Sequence, residues 1–234
     1  MLFNAYIGFD LRMPDAYMVA HRSLQNHASP PIIIKPLLLP HLRACRAYTR
    51  ATDHRGDVMW DVISDAPMST QFAISRFLIP ALQGYRGKTL FCDSDFMFRD
   101  DVNDLFAQCD SRHAVTVVKH DYAPAETVKM DGQPQTQYAR KNWSSMMVFN
   151  NEHPSNRWLT YENVNRTPGR DLHRFCWLKD HEIGAVGTEW NWLEGHSSMD
   201  INPKAVHYTR GTPDMPGYED VPYADEWNRI LSEI

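Results

Sequence analysis

A strand, a helix and a second strand follow one another at the start of this chain, and that opening restricts the fold more than any later feature. A-Y-I-G-F at 5–9 is a short apolar run that stops at Asp10. It reads as a buried strand with a carboxylate at its C-terminal end. Pro14 and Asp15 open a helix predicted over about 15–26, with Ala16, Val19, Ala20 and Leu24 at helical spacing. S-P-P-I-I-I-K-P at 29–36 reads as a second strand between proline stops. A β–α–β unit of this kind predicts an α/β fold with parallel strands.

The pattern continues further along the chain. Ser69 is placed to cap a helix carrying Ala73, Phe77, Leu78, Ala81 and Leu82, ended by Gly84 and Gly87. K-T-L-F-C at 88–92, A-V-T-V-V at 114–118 and S-M-M-V-F-N at 145–150 read as strands, with a helical stretch near 154–163. Residues 41–66 give no clear pattern and include loops, and after 165 the chain is rich in Trp, His and Gly with little periodicity. The length of 234 residues suits one domain, and 43% hydrophobic with 23% charged residues excludes wholesale disorder.

Other composition features exclude functions. Net charge is −5 and no basic block stands out, which argues against a nucleic-acid footprint. The longest apolar runs, Ile32–Ile34 and Leu37–Leu39, are too short to span a bilayer. The N-terminus has no basic region before its apolar run and does not read as a secretory signal. The four cysteines, at 45, 92, 109 and 176, form no C-x-x-C pair. Their spacing suits reduced thiols in a cytoplasmic protein, peripheral at a membrane at most.

The strongest chemical signal is F-C-D-S-D-F-M-F at 91–98. Asp93 and Asp95 leave the end of a buried strand two residues apart, where they can converge on one hard cation such as Mn²⁺ or Mg²⁺. Ligands in open α/β sheets gather outside the carboxyl ends of strands. V-H-Y-T-R-G-T-P at 206–213 supplies His207, an imidazole that would favour Mn²⁺ in a carboxylate site, and Gly211, where backbone could approach a phosphate. Arg76, just before the Asp-x-Asp strand, offers a forked donor for diphosphate or sugar oxygens. Read singly, the three features are also compatible with an acidic turn, a loop histidine and a surface arginine.

Together these segments resemble the GT-A glycosyltransferases, and specifically the glycosyltransferase family 8 group that includes glycogenin and lipopolysaccharide galactosyltransferases. I-G-F-D-L-R with A-Y-x-V-A-x-x-S-L, F-A-I-S-R-F-L-I-P at 72–80, F-C-D-S-D, N-W-S-S-M-M-V-F-N at 142–150 and H-Y-T-R-G-T-P fall in the family's order. The resemblance implies a Rossmann-like GT-A fold, a mixed and mostly parallel central sheet flanked by helices. It implies one catalytic domain over 1–234, with a nucleotide- and metal-binding half at 1–110. The acceptor-side half and C-terminal metal and phosphate loop would occupy 111–234. It further implies metal-dependent transfer of a sugar from a UDP-sugar donor to a carbohydrate or glycoconjugate acceptor, with retention at the anomeric carbon.

Carried over by position, Asp93, Asp95 and His207 become the ligands of Mn²⁺ (or Mg²⁺). Gly8, Phe9, Asp10 and Arg12 fall where the family holds uracil and ribose, Ser94 lies within the metal motif, Arg76 and Asn142 fall near the donor sugar, and Gly211 beside the diphosphate. Asp171 and His173 in R-D-L-H-R correspond to the family's acceptor-side Asp-Gln-Asp. Three departures stand out: W-S-S replaces Asn-Ser-Gly with Asn142 one place early, no lysine follows Gly211, and R-D-L-H-R matches only loosely. Arg210 is the nearest substitute for the missing lysine charge. Asp131, in a polar segment with a Asp131-Gly132 turn, and Trp192, in W-N-W-L, are candidates for acceptor contact; aromatic rings suit sugar C–H faces.

Two other enzyme classes also place acids on such a sheet. Sugar-nucleotide nucleotidyltransferases carry a glycine-rich basic loop after the first strand, which F-D-L-R-M-P-D lacks. Haloacid-dehalogenase-type phosphatases use Asp-x-Asp on the first strand and continue to Thr or Val where this chain has Met97. A catalytically inactive nucleotide-sugar-binding protein is the non-enzymatic alternative.

Overall fold

The structure, a computed structural model, describes residues 3–120, 140 and 142–234. The chain opens with β1 (Asn4–Phe9), α1 (Pro14–Asn26), β2 (Ile33–Leu38) and α2 (Leu39–Ala44). An antiparallel meander follows: β3 (Thr52–Arg55), β4 (Val58–Asp61) and β5 (Ala66–Pro67). A 3₁₀ turn at Ser75–Leu78 runs into α3 (Ile79–Leu82), β6 (Lys88–Cys92), β7 (Phe96–Phe98) and α4 (Val102–Gln108). Then come β8 (Val115–Val118), β9 (Met146–Asn150), α5 (Tyr161–Arg166) and α6 (Gly169–His173). The last elements are β10 (Ile183–Val186), β11 (Trp192–Leu193), β12 (Ala205–His207) and α7 (Ala224–Ser232).

The central sheet has six strands in the order β10-β8-β9-β6-β1-β2. β1 runs parallel to β2 and β6, and β10 parallel to β8, while β9 lies antiparallel between β6 and β8. The sheet is therefore parallel except for β9, the mixed and mostly parallel α/β arrangement expected. Successive side chains of a strand face opposite sides. Ala5, Ile7, Leu90, Cys92, Met146 and Val148 join a core with α1 and α4. Tyr6, Phe91, Met147 and Phe149 join a second core with residues of α2, α5 and α6. Burial on both faces explains why these strands are apolar throughout rather than alternating.

A small second sheet, β11-β12-β7, packs on α1 and α7 through Val19, Met97, Trp192, Val206, Trp227 and Ile230. It matters for the site because β7 and β12 are antiparallel with Phe96 opposite His207. Tyr208 N also donates to Asp95 O at 2.9 Å. The chain after the Asp-x-Asp motif is thereby pinned against the chain around His207.

Several elements differ from the sequence reading: residues 41–66 carry most of α2 and the meander, and the helix expected near 154–163 is a 3₁₀ turn at Pro154–Trp158 followed by α5. β2 begins at Ile33 and runs through Pro36 to Leu38 instead of stopping at the proline. It is an edge strand, where a residue without an N–H is tolerated on the open side. The helix expected from Ser69 is a 3₁₀ turn followed by one α-helical turn, with no cap from Ser69. Pro80 removes the N–H that a continuous helix would direct to Arg76 O, so α-helical bonding restarts around it.

Candidate functional site

The carboxyl ends of β1, β6, β8 and β10 and the amino end of the reversed β9 meet on one rim. Asp93 leaves β6 there, and its N–H donates to Ser145 O at 2.9 Å, the residue just before β9. Asp93, Asp95 and His207 offer ligand atoms that all lie within 4.8 Å of one another. His207 Nε2 is 3.4 Å from Asp95 Oδ1, and its ring stacks on Phe96 with centroids 4.4 Å apart. Among the described residues this is the one group of three or more His, Cys, Asp or Glu side chains so arranged.

The donor set fits a divalent cation. Asp95 Oδ1 is buried without a hydrogen-bond donor, and Asp93 Oδ1 has the Arg76 guanidinium beside it at 2.8 Å; a buried carboxylate oxygen left unpaired is costly unless a cation compensates. Burial pushes the Asp93 carboxyl up to about 7, partly offset by Arg76 and reinforced by the charge of Asp95. Two carboxylates and an imidazole suit Mn²⁺, with Mg²⁺ the harder alternative.

Arg76 is 5% exposed and packs against the rings of Phe72 and Phe91, 5.5 and 4.8 Å from their centroids. Its Nη1 sits 2.8 Å from Asp93 Oδ1 and donates to Ser144 O at 2.8 Å. The arginine is thus a fixed cation beside the carboxylates. His173, at the end of α6, reaches the same segment: its Nδ1 is 2.7 Å from Ser144 Oγ. Asp171 faces outward, with Oδ1 3.7 Å from Arg170 Nε. Asn142 has a left-handed backbone with φ of 63°, and its carbonyl accepts from Ser145 Oγ at 2.7 Å.

Packing and hydrogen bonds fix the positions of the other expected residues. Asp10 is fully buried, and its oxygens accept from Arg12 N, Nε and Nη2 and from Gln71 N. Burial alone would raise its pKa; those bonds outweigh it and hold the carboxyl below its usual range. Asp10 therefore orients Arg12, and Arg12, about half exposed, is the group that faces outward. A Cβ on Gly8 would lie 2.4 Å from the Phe72 ring, and one on Gly211 2.7 Å from the Tyr218 ring. Close ring packing accounts for both glycines. Phe9 stacks on Tyr17 at 4.4 Å.

Trp192 is a core residue of the small sheet, with Nε1 bonded to Ser198 O at 2.9 Å, so it offers no face to an acceptor. Arg210 is paired with the buried Glu194, its Nε 2.9 Å from Oε2. That charge is already matched and does not replace a free lysine. Ser94 is buried, with Oγ unpartnered. Asp131 lies outside the described residues.

Sequence reasoning missed Asn191, Ser145 and His120. Asn191 is fully buried; its Oδ1 is 2.9 Å from His207 Nδ1 and its Nδ2 donates to Ser145 Oγ at 2.9 Å. Its position between two tryptophans was the available signal. His120 follows β8, and burial, with a smaller contribution from His207, lowers its pKa to about 4, which keeps it neutral.

Comparison with solved structures places this architecture in a class. The chain superposes on the bifunctional glycosyltransferase WbbM with a TM-score of 0.59 at 16% identity, covering 99% of this chain and 50% of WbbM. Against the glycosyltransferase GlyE of Streptococcus pneumoniae TIGR4 the TM-score is 0.58 at 14% identity, covering 100% of this chain and 63% of GlyE. Against the galactosyltransferase LgtC, solved with donor and acceptor sugar analogs, it is 0.58 at 14% identity, covering 99% and 96%. The chain thus spans half of WbbM and less than two thirds of GlyE. The fold is that of the GT-A glycosyltransferases.

No protein-family model matches the sequence. Protein CDI of Arabidopsis thaliana is 42% identical over 236 residues, covering 99% of this chain and 86% of its own length. The chain belongs to the family of Protein CDI.

Proposed function

We propose that this protein transfers a sugar from a nucleotide-sugar donor, a UDP-sugar, to a carbohydrate or glycoconjugate acceptor, as a retaining enzyme akin to glycosyltransferase family 8. The observation that carries the reading is the convergence of Asp93, Asp95 and His207, with Asp95 Oδ1 buried and unpartnered, at the rim where α/β sheets bind ligands. These three residues would hold Mn²⁺ (or Mg²⁺), which when bound supplies a Lewis acid for the diphosphate oxygens.

The chain's own residues account for the rest. Arg76 brings a preorganised cation to the place where the leaving diphosphate gains charge, and its burial against Phe72 and Phe91 strengthens that interaction by limiting water. Arg12, fixed by Asp10, is oriented toward the nucleotide. Ser94 and Asn142 line the donor side, and Asp171 and His173 the acceptor side. The chain acts as one catalytic unit, with 1–110 supplying most donor contacts and 111–234 the acceptor side and His207.

Calorimetry of UDP with and without Mn²⁺, with ADP and GDP as controls, tests the reading. Mn²⁺-dependent, uridine-selective binding is expected, followed by hydrolysis of one UDP-sugar in a donor screen. Absence of nucleotide binding by folded protein overturns it. Binding without hydrolysis or transfer would instead favour an inactive nucleotide-sugar-binding protein.

A further inference from the structure

The polarity of one hydrogen-bond chain determines which nitrogen of His207 carries a proton. A backbone carbonyl can only accept. Ser145 Oγ, 2.7 Å from Asn142 O, must therefore donate its proton there. The lone pairs of that hydroxyl are then left to accept, and Asn191 Nδ2 donates to them at 2.9 Å. This fixes the Asn191 amide with Oδ1 toward the imidazole. Oδ1 accepts only, so His207 Nδ1, 2.9 Å away, is the protonated nitrogen. In the neutral imidazole the Nε2 lone pair then faces Asp95 Oδ1 at 3.4 Å, two acceptors that a cation can bridge.

We infer that Asn191 and Ser145 are positioning residues that lock His207 as the Nδ1–H tautomer and so aim its Nε2 lone pair at the cation site. The inference rests on the metal reading proposed above. Every member is buried: Asn191 is 0%, His207 4% and Ser145 5% exposed. Water therefore does not compete for these bonds. The left-handed backbone of Asn142, with φ of 63°, aims the carbonyl that starts the chain. Ser145 also receives Asp93 N–H on its own carbonyl at 2.9 Å. The N-W-S-S turn thus supports a carboxylate ligand through its backbone and the imidazole through its side chain. This gives the segment that departs from Asn-Ser-Gly a role in this protein. Ligating histidines commonly have their second nitrogen held in this way, and loss of the holder typically costs 10–100-fold in metal affinity.

The test uses the full chain and two readouts. In metal-free protein, ¹⁵N–¹H correlation of the histidine rings reports the tautomer of His207 directly; calorimetry with Mn²⁺ alone reports affinity. Wild type is expected as Nδ1–H. Asn191→Leu should move the population toward Nε2–H and weaken Mn²⁺ binding about 10–100-fold. Asn191→Asp, which keeps an acceptor facing Nδ1, should retain both properties. Ser145→Ala, a milder change should Asn191→Leu fold poorly, frees the amide to flip and should shift both in the same direction as Asn191→Leu.

His207 found as Nε2–H in wild type overturns the inference. So does a tautomer or an Mn²⁺ affinity unchanged in both Asn191→Leu and Ser145→Ala. Failure of the wild type to bind any divalent cation sinks the metal reading itself and, with it, the role of the network in aiming a ligand. The tautomer readout needs no metal, so the two failures are told apart.

Discussion

Of the three converging side chains, Asp95 has the fewest other partners. Asp93 pairs with Arg76 and His207 bonds Asn191, whereas Asp95 Oδ1 is buried with no donor. The two carboxylates should therefore respond differently to replacement. Asp95→Ala should abolish Mn²⁺-dependent UDP binding by calorimetry while leaving the metal-free melting temperature unchanged or slightly raised. Asp93→Ala should lose binding and, above about pH 7 where the Asp93 carboxyl is ionised, also lower the melting temperature, because Arg76 is left as a buried unpaired charge. Equal melting behaviour of the two variants would contradict this account. At this scale the Asp-x-Asp pair was legible in the sequence, since Asp93 and Asp95 are neighbours at a strand end. Asn191 and Ser145 were not, because their partnership spans 46 residues and polar side-chain pairs leave no periodic trace.

Between elements, Arg50 ties the antiparallel meander to α5: it pairs with Asp61 of β4 and donates to carbonyls at the end of α5. Arg50 and Asp61 are each almost fully buried, with Arg50 Nε 2.9 Å from Asp61 Oδ1. Arg50 Nη1 also donates to Val164 O and Thr167 O at 2.8 and 2.7 Å. Arg50→Met should destabilise the protein by about 3–5 kcal/mol in urea unfolding. Arg50→Met with Asp61→Leu should recover only part of that loss, since the two carbonyls still lack their donor. A similar local argument applies to Gly8: Gly8→Ala forces a methyl into the Phe72 ring at 2.4 Å and should cost about 1–3 kcal/mol. Residues 41–66 give no clear pattern in sequence because these strands are short and pair only with each other. The helix predicted from Ser69 failed for a different reason, because apolar spacing does not register the N–H missing at Pro80.

At the scale of the molecule, Asp93 links the site to overall stability. Its carboxyl stays protonated to about pH 7 in the folded chain, and only to about pH 4 when unfolded. Between those values the folded state binds more protons, so this group's contribution to stability falls as pH rises. Asp10 and Asp61 have lowered pKa values; their contributions are present above the ordinary carboxylate range and lost only in stronger acid. Melting curves of metal-free protein from pH 5 to 7.5 should therefore fall with a slope that Asp93→Asn flattens. Saturating Mn²⁺ should restore stability at pH 7.5. The parallel α/β plan was readable from the β–α–β opening. Which strand runs backwards was not readable from residue pattern, since a strand buried on both faces looks the same in either direction.

That reversed strand has one more consequence. Because β9 is antiparallel to β8, the chain leaves Val118 and re-enters at Met146 on the same side of the sheet. An antiparallel connection does not have to cross over a face of the sheet. Its two described ends meet on the rim: Trp143 Nε1 donates to His120 O at 3.2 Å, and Ser145 O accepts from Asp93 N–H at 2.9 Å. The reversal of one strand thus brings the exit of β8 and the entrance of β9 together beside the Asp-x-Asp motif.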